Sequence, residues 1–408
     1  MNYKKLSAYY NSLALIVLNT CLLLLCINLI LFIAFKIKDT VVDSKKSNPV
    51  TEKYGAPSFK KVYPQLSKEE IDHLLVESWL RPLEYEPFTQ FRERPFHGTY
   101  VNVDDQGFRI TKNQGSWPPD SHNFNIFLFG GSTTFGYGVP DDQTIASYLQ
   151  EVLTNRLERD VRVYNFGRAY YYSTQESVLF ERLVVSGFVP DMAIFIDGLN
   201  DFYFKTDKLL YTDRFTQLLD GTISGESKLV KNLPMARCAR FLRKFLASLW
   251  SRKNGTDLHK AQDEVSLNKE NHSVQSTIRT AIERYLRNKK LIEVIAAGYG
   301  VRPVFVWQPV PTYHYDLTYH LFNGKDVLEH YSRFGYPYMA EYIKKTPLGK
   351  NFLWCADIQQ NIQEPLYADS CHYSAKMSYL FAQAIADQLM ERNLLVTLKG
   401  NYPFALSE

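Results

Sequence analysis

The 408-residue sequence has little cysteine. It carries five, Cys21, Cys26, Cys238, Cys355 and Cys371, with no CxxC pair and no Cys/His grouping at zinc spacing. That argues against a structural zinc site, and neither a metal nor an organic cofactor is expected. A dominant charge sign is also missing: 47 basic against 43 acidic residues leave a net +4. This balance does not give the electrostatic footprint of a nucleic-acid binder, so no nucleic-acid partner is expected. The glycine-rich turn Gly130-Gly131-Ser132 lacks the lysine of a phosphate-cradling loop. What the chain does have is 45% hydrophobic and 14% aromatic residues, ordinary for a folded body.

Charge is absent altogether from Ser12 to Phe35, a stretch rich in Leu, Ile, Val and Phe. A helix of about 20 such residues crosses the hydrocarbon core. The run ends Phe32-Ile33-Ala34-Phe35-Lys36, a poor match to a signal-peptide cleavage site. Residues 1–36 therefore read as a tail with a single-pass transmembrane anchor, in which Cys21 and Cys26 are small apolar residues. Lysines flank both ends of the span, and by the positive-inside rule those at Lys36, Lys38, Lys45 and Lys46 point the body to the cytoplasm. A short tail, one helix and a large body is instead the layout of an extracytoplasmic domain, the arrangement adopted here. In that compartment Cys355 and Cys371 could pair, with Cys238 as a competitor.

Residues 37–62 read as a polar linker. Residues 63–123 form an N-terminal extension of the main domain. It opens on the capping box Ser67-Lys68-Glu69-Glu70 and includes β-like pieces such as Thr99 to Val103. From 124 the pattern alternates. Phe124–Phe129 reads as a buried strand, and Val161–Tyr164, Met192–Ile196 and Pro303–Trp307 as further strands. Helices are expected around Ile145 to Leu153, over Glu176–Val185, over Ile278–Ala297 and over Ser374–Leu389. Such alternation predicts an α/β fold with a parallel sheet, helices on both faces and ligands beyond the carboxyl ends of the strands. The domain spans 124–392, with an insertion over about 202–275 and a C-terminal tail over 393–408.

Candidate chemistry gathers at those strand ends. Ser132 follows Gly130-Gly131, where a tight turn exposes its Oγ. Gly167 ends Asn165-Phe166-Gly167 and would let a backbone N–H approach a substrate oxygen. Asn200, in Gly198-Leu199-Asn200-Asp201, offers a side-chain donor. Asp369 and His372 stand three residues apart, so one turn can bring the carboxylate to the imidazole Nδ1–H and leave Nε2 to take the serine proton. An acyl-transfer site needs these parts: nucleophile, base, orienting acid and oxyanion donors.

With these four blocks in this order, the sequence resembles the SGNH (GDSL-like) hydrolase superfamily over roughly 124–392. Its first block reads Gly-Gly-Ser, without the Asp and Leu of Gly-Asp-Ser-Leu. The Gly-x-Ser-x-Gly elbow of α/β-hydrolases is absent, because position 134 is Thr. The resemblance implies a flavodoxin-like three-layer sandwich with a mostly parallel sheet. It implies Ser132, Asp369 and His372 as a catalytic triad, and Ser132 N–H, Gly167 N–H and the Asn200 side chain as the oxyanion hole. The expected activity is hydrolysis of a carboxylic ester, on a small molecule or an acylated glycan or lipid. Two alternatives remain: acyl transfer to a glycan or lipid acceptor by the same triad, and an inactive glycan-binding or scaffold body. The insertion, with Phe241, Phe245 and Trp250 on one helical face among Arg237, Arg240 and Arg243, is the expected source of specificity. Residues 251–275 read as a polar loop.

Overall fold

Large apolar residues alternate along the central strands, and this alternation divides the core in two. In the computed structural model, which describes residues 3–43, 56–157, 159–203, 209–219, 263–322 and 331–395, Phe127, Phe129, Phe195, Phe305 and Trp307 point to one face of a sheet. Ile126, Leu128, Ile194, Ile196, Val304 and Val306 point to the other. Successive strand residues face opposite sides, so a continuous apolar run buries both. The first face is aromatic: Phe129 stacks on Phe195 at 4.8 Å and Phe195 on Phe305 at 5.5 Å.

In chain order the strands are β1 (Leu83–Glu86), β2 (Gln90–Glu93), β3 (Phe96–His97), β4 (Asn102–Val103), β5 (Phe124–Gly130), β6 (Val161–Asn165), β7 (Met192–Asp197), β8 (Arg302–Trp307) and β9 (Phe352–Trp354). The helices are α1 (Tyr3–Asp43), α2 (Ala56–Val62), α3 (Lys68–Trp79), α4 (Ser132–Phe135), α5 (Ile145–Leu157), α6 (Ser173–Val185), α7 (Leu199–Tyr203), α8 (Thr212–Leu219), α9 (Asp263–Tyr299), α10 (Ser332–Lys345) and α11 (Ala375–Glu391). Strands β5 to β9 pair in parallel in the order β6-β5-β7-β8-β9. Counted from β5, this is the 2-1-3-4-5 order of flavodoxin-like sheets, whose switch point lies beside the first strand. The aromatic face packs against α6, α9 and α10, through residues such as Phe180, Ile282 and Met339. The aliphatic face packs against α5 and α11, through Leu149, Phe381 and Ile385. The result is the three-layer α/β sandwich expected.

The chain divides into two compact units, residues 1–47 with 212–268 and residues 48–211 with 269–408. In the first, Tyr9–Ile37 of α1 is long and apolar enough to cross a membrane, with a mean hydropathy of 2.7. Several boundaries differ from the sequence reading. Helix α1 runs past 36 to Asp43, and α2 occupies part of the expected linker. Helix α9 begins at Asp263, so the expected polar loop over 251–275 is helical from that point. The basic face around Phe241, with Cys238, lies outside the described residues. Strand β9 is three residues long and shows no periodicity, and α10 contains Gly335 and Pro337, which read as breakers. Cys355 and Cys371 are both free thiols, so the pairing weighed from sequence is not formed. Burial pushes the Cys355 thiol up to about 12.

Candidate active site

The carboxyl ends of β5, β6 and β7 carry three of the four sequence blocks. Ser132 opens the one-turn helix α4 directly after β5. Asn200 sits in α7 directly after β7, and its Nδ2 donates to Tyr171 O at 2.7 Å. Gly131 is required for this approach, since a Cβ there would stand 2.3 Å from Asn200 Nδ2. Gly167 follows β6, and its Cβ would stand 2.3 Å from Phe135 N, so this turn presses backbone to backbone against α4.

The fourth block comes from the turn before α11. His372 Nε2 lies 2.8 Å from Ser132 Oγ, across 240 residues of chain. His372 Nδ1 lies 2.7 Å from Asp369 Oδ2. The other carboxylate oxygen, Asp369 Oδ1, accepts the N–H groups of Cys371 and His372, both at 2.8 Å. Ser374 then caps α11 by accepting from Met377 N. The Asp-x-x-His spacing works as a turn closed on its own carboxylate.

Burial opposes charge on both partners and is outweighed. For Asp369, the His372 charge, the Nδ1 bond and the two N–H groups hold the carboxyl at about 2. For His372, Asp369 raises the imidazole well above its usual value. Asp369 is thus ionised at neutral pH and raises the proton affinity of His372. Asp369, Cys371 and His372 also bring one potential metal-ligand atom each within 4.8 Å. Both imidazole nitrogens are already engaged, one with Asp369 and one with Ser132, so this group does not fit an ion.

One expected donor is oriented elsewhere. The Gly167 N–H, expected to face a substrate oxygen, donates to Asn165 Oδ1 at 3.0 Å. The next two N–H groups are also taken: Arg168 donates to Gly130 O at 3.0 Å and Ala169 to Glu93 Oε1 at 3.1 Å. Tyr170 follows with a left-handed φ of +59°, and its N–H meets no acceptor among the described residues. Burial raises the pKa of its phenol, and the neighbouring His372 opposes that rise.

The sequence reading missed the walls of the site. Trp79 meets the His372 ring edge-on at 5.9 Å, and Tyr137 stacks on it at 5.3 Å. Buried Glu93 ties these parts together. Its Oε1 accepts from Tyr137 OH and Ala169 N, both at 3.1 Å, and its Oε2 pairs with buried Arg81 at 3.2 Å. Trp79 is held in turn through α3, where Glu77 accepts three N–H groups from Thr99, Tyr100 and Val101. No local motif signals these residues; the one cue was the capping box that opens α3. Next to Ser132, the Thr133 side chain is held by Gln308, whose Oε1 accepts from Thr133 Oγ1 at 2.7 Å and from Tyr373 OH at 2.9 Å.

A family model of GDSL-like lipase/acylhydrolases matches residues 126–385, well over half of the chain. The chain belongs to this family. The protein is therefore an ester hydrolase of the SGNH/GDSL type. Solved structures similar to this GDSL-like acylhydrolase include a member of the lipolytic G-D-S-L family from Veillonella parvula, with 13% identity, a TM-score of 0.33, and coverage of 64% of this chain and 96% of that one. Others are Est24, a carbohydrate acetylesterase from Sinorhizobium meliloti (12%, 0.33, 65% and 98%), and a catalytic mutant of Axe2, an acetylxylan esterase from Geobacillus stearothermophilus (14%, 0.35, 68% and 96%). No curated protein matches the chain.

Proposed function

We propose that the protein hydrolyses a carboxylic ester through an acyl-enzyme on Ser132, as a membrane-anchored enzyme with an extracytoplasmic body. One observation carries this reading: the hydrogen-bonded line from Ser132 Oγ through His372 to Asp369, at 2.8 and 2.7 Å. Ser132 Oγ attacks the acyl carbon while its proton passes to His372 Nε2. The tetrahedral intermediate collapses, the C–O bond to the alcohol breaks, and His372 returns the proton to the leaving oxygen. Water then attacks the acyl-enzyme with His372 again as base. Asp369 holds the imidazole tautomer and stabilises the imidazolium.

The oxyanion is stabilised in this reading by the Ser132 N–H, by the second Asn200 Nδ2 hydrogen and by the Tyr170 N–H. Gly167 contributes the close backbone approach that brings its turn to α4. Support for Tyr170 is the free N–H beside three committed ones. A crystal structure of the phosphonyl-Ser132 adduct tests the assignment. The phosphonyl oxygen should sit about 2.7–3.1 Å from the Tyr170 nitrogen, and a contact with Gly167 N instead overturns it.

Product analysis separates water from other acceptors: free carboxylic acid is expected, and acylated glycan or lipid as the main product would make the protein a transferase. The Tyr9–Ile37 helix supports the anchor. Protease accessibility in sealed vesicles tests the orientation, and a body protected on the cytoplasmic side would reverse it.

A further inference from the structure

The carboxyl edge of the sheet continues past Asn200 to β8 and β9, and a second feature forms there. The loops after these strands enclose a hollow of about 310 Å³, at the small end of the ~300–1,000 Å³ common for ligand sites. Neither Ser132 nor His372 lines it. One wall is His314, Tyr315 and Asp316; the other is Gln360, Asn361, Ile362 and Gln363.

The two loops are fastened together from beneath. Buried Gln359 donates from Nε2 to Val310 O at 2.7 Å and to Tyr313 O at 2.6 Å, and accepts from Tyr367 OH at 2.5 Å. Tyr315 OH donates to Glu364 O at 2.9 Å. Asp357 receives both the His314 ring at 2.6 Å and Trp354 Nε1 at 2.5 Å. The hollow is preformed, which lowers the ordering cost of binding. His314 (φ +52°) and Asn361 (φ +69°) hold left-handed backbone on opposite walls. Both residue types visit that region more readily than most, and such conformations collect at ligand sites.

The lining selects a chemistry. No Lys or Arg is present, and two hydrogen bonds from Thr318 keep Asp316 ionised, so an anion is disfavoured. Asp357 is already shared between His314 and Trp354, so no carboxylate cluster is left for a cation. The side-chain amides of Gln360, Asn361 and Gln363 have no partner among the described residues. Each offers donors and an acceptor, as a hydroxyl does. Tyr315 and Ile362 supply the apolar part of the lining.

We propose that this hollow is a binding subsite for a neutral saccharide, the alcohol portion of the acylated substrate beyond the sugar that carries the ester. The proposal rests on the esterase reading for its link to catalysis. The link is short in structure: the Tyr315 ring is 5.4 Å from Tyr367 and 6.2 Å from His320. Tyr367 precedes Asp369 by two residues, and His320 is close enough to feel the Asp369 charge.

The test is calorimetric titration of full-length Ser132→Ala protein in detergent with xylohexaose, cellohexaose, chitohexaose and an anionic hexagalacturonate. At least one neutral hexasaccharide should bind, and the triple change Gln360→Ala, Asn361→Gly, Gln363→Ala should weaken it tenfold or more. Glycine at 361 keeps the left-handed backbone. The single Gln363→Ala variant, with less demand on folding, should weaken it about threefold, the smaller end of a lost hydrogen bond. Fluorophosphonate labelling of Ser132 in the same variants, made with Ser132 intact, should not change. Failure of every neutral sugar to bind, binding of the anionic sugar alone, or unchanged affinity in both variants overturns the subsite. Sugar binding in a protein that does not hydrolyse p-nitrophenyl acetate would sink the acyl-enzyme reading and leave the subsite standing; the reverse result would sink the subsite alone.

Discussion

The α/β body and the N-terminal extension contribute to the same site in different ways. The body places Ser132, Asn200, Asp369 and His372 at strand ends and on one local turn. The extension places Trp79 against the imidazole, and its Glu93 secures both Tyr137 and the turn that precedes Tyr170. In the proposed mechanism the body residues stand where bonds change, and the extension residues hold them in place. The difference teaches that reactive groups can be carried by short motifs, whereas their alignment depends on long-range packing.

The sharpest way to break this comparison is to remove the nucleophile. Ser132→Ala should lower kcat on the order of 10⁶-fold and abolish fluorophosphonate labelling. Retained ester turnover in purified variant protein would end the acyl-enzyme reading. Asp369→Asn should cost about 10⁴-fold in kcat. It should also move the pH profile. With Asp369 present, the His372 pKa is raised, so the basic form, and with it kcat/KM, should appear only above the usual imidazole value of about 6.5. The variant's half-point should fall toward that value. The linked stability has a defined sign: the His372 contribution is full below about 6.5 and is lost as pH rises through its raised folded value. The Asp369 contribution is present above about 3.9 and is lost as pH falls toward about 2.

Asn200→Ala should cost about 10²–10³-fold in kcat with little change in KM; a pure KM effect would remove Asn200 from the oxyanion hole. Glu93 tests the extension's half of the comparison. Glu93→Ala leaves buried Arg81 unpaired and should cost about 3–5 kcal/mol of stability. The milder Glu93→Gln should keep the fold and lower kcat by up to about 10²-fold through misalignment. A kcat loss as large as that of Ser132→Ala would place Glu93 in the chemistry and erase the distinction. The smallest effect belongs to His320, which burial depresses to about 4. Because the unfolded chain binds the proton first, stability should decline as pH drops from about 6.5 toward 4. His320→Gln should flatten that decline in thermal melts, and an unchanged slope would remove His320 as its source.

Much of this was legible in the residues. The apolar runs named four of the five central strands, because a strand buried on both faces reads as a near-continuous apolar run. Strand β9 escaped because three residues carry no period. The Asp369–His372 pairing was readable because it is local: the carboxylate closes on N–H groups two and three residues ahead. Gly167 marks the limit. Its bare Cα is needed against Phe135, which is not the reason read from the sequence, and the direction of its N–H depends on Asn165, which is itself held by the carbonyl of Thr134 at 3.0 Å. No spacing rule encodes that.

The sequence by itself determined the α/β pattern, the apolar N-terminal helix and the reactive residue types, because each follows from periodicity or from contacts within one turn. Only the tertiary structure decided that Ser132 meets His372 across 240 residues, that Glu93 aligns the imidazole's stacking partner, and which N–H groups remain free. Those outcomes depend on side chains meeting across the sheet's carboxyl edge, where position is set by packing of distant segments and not by the order of residues along the chain.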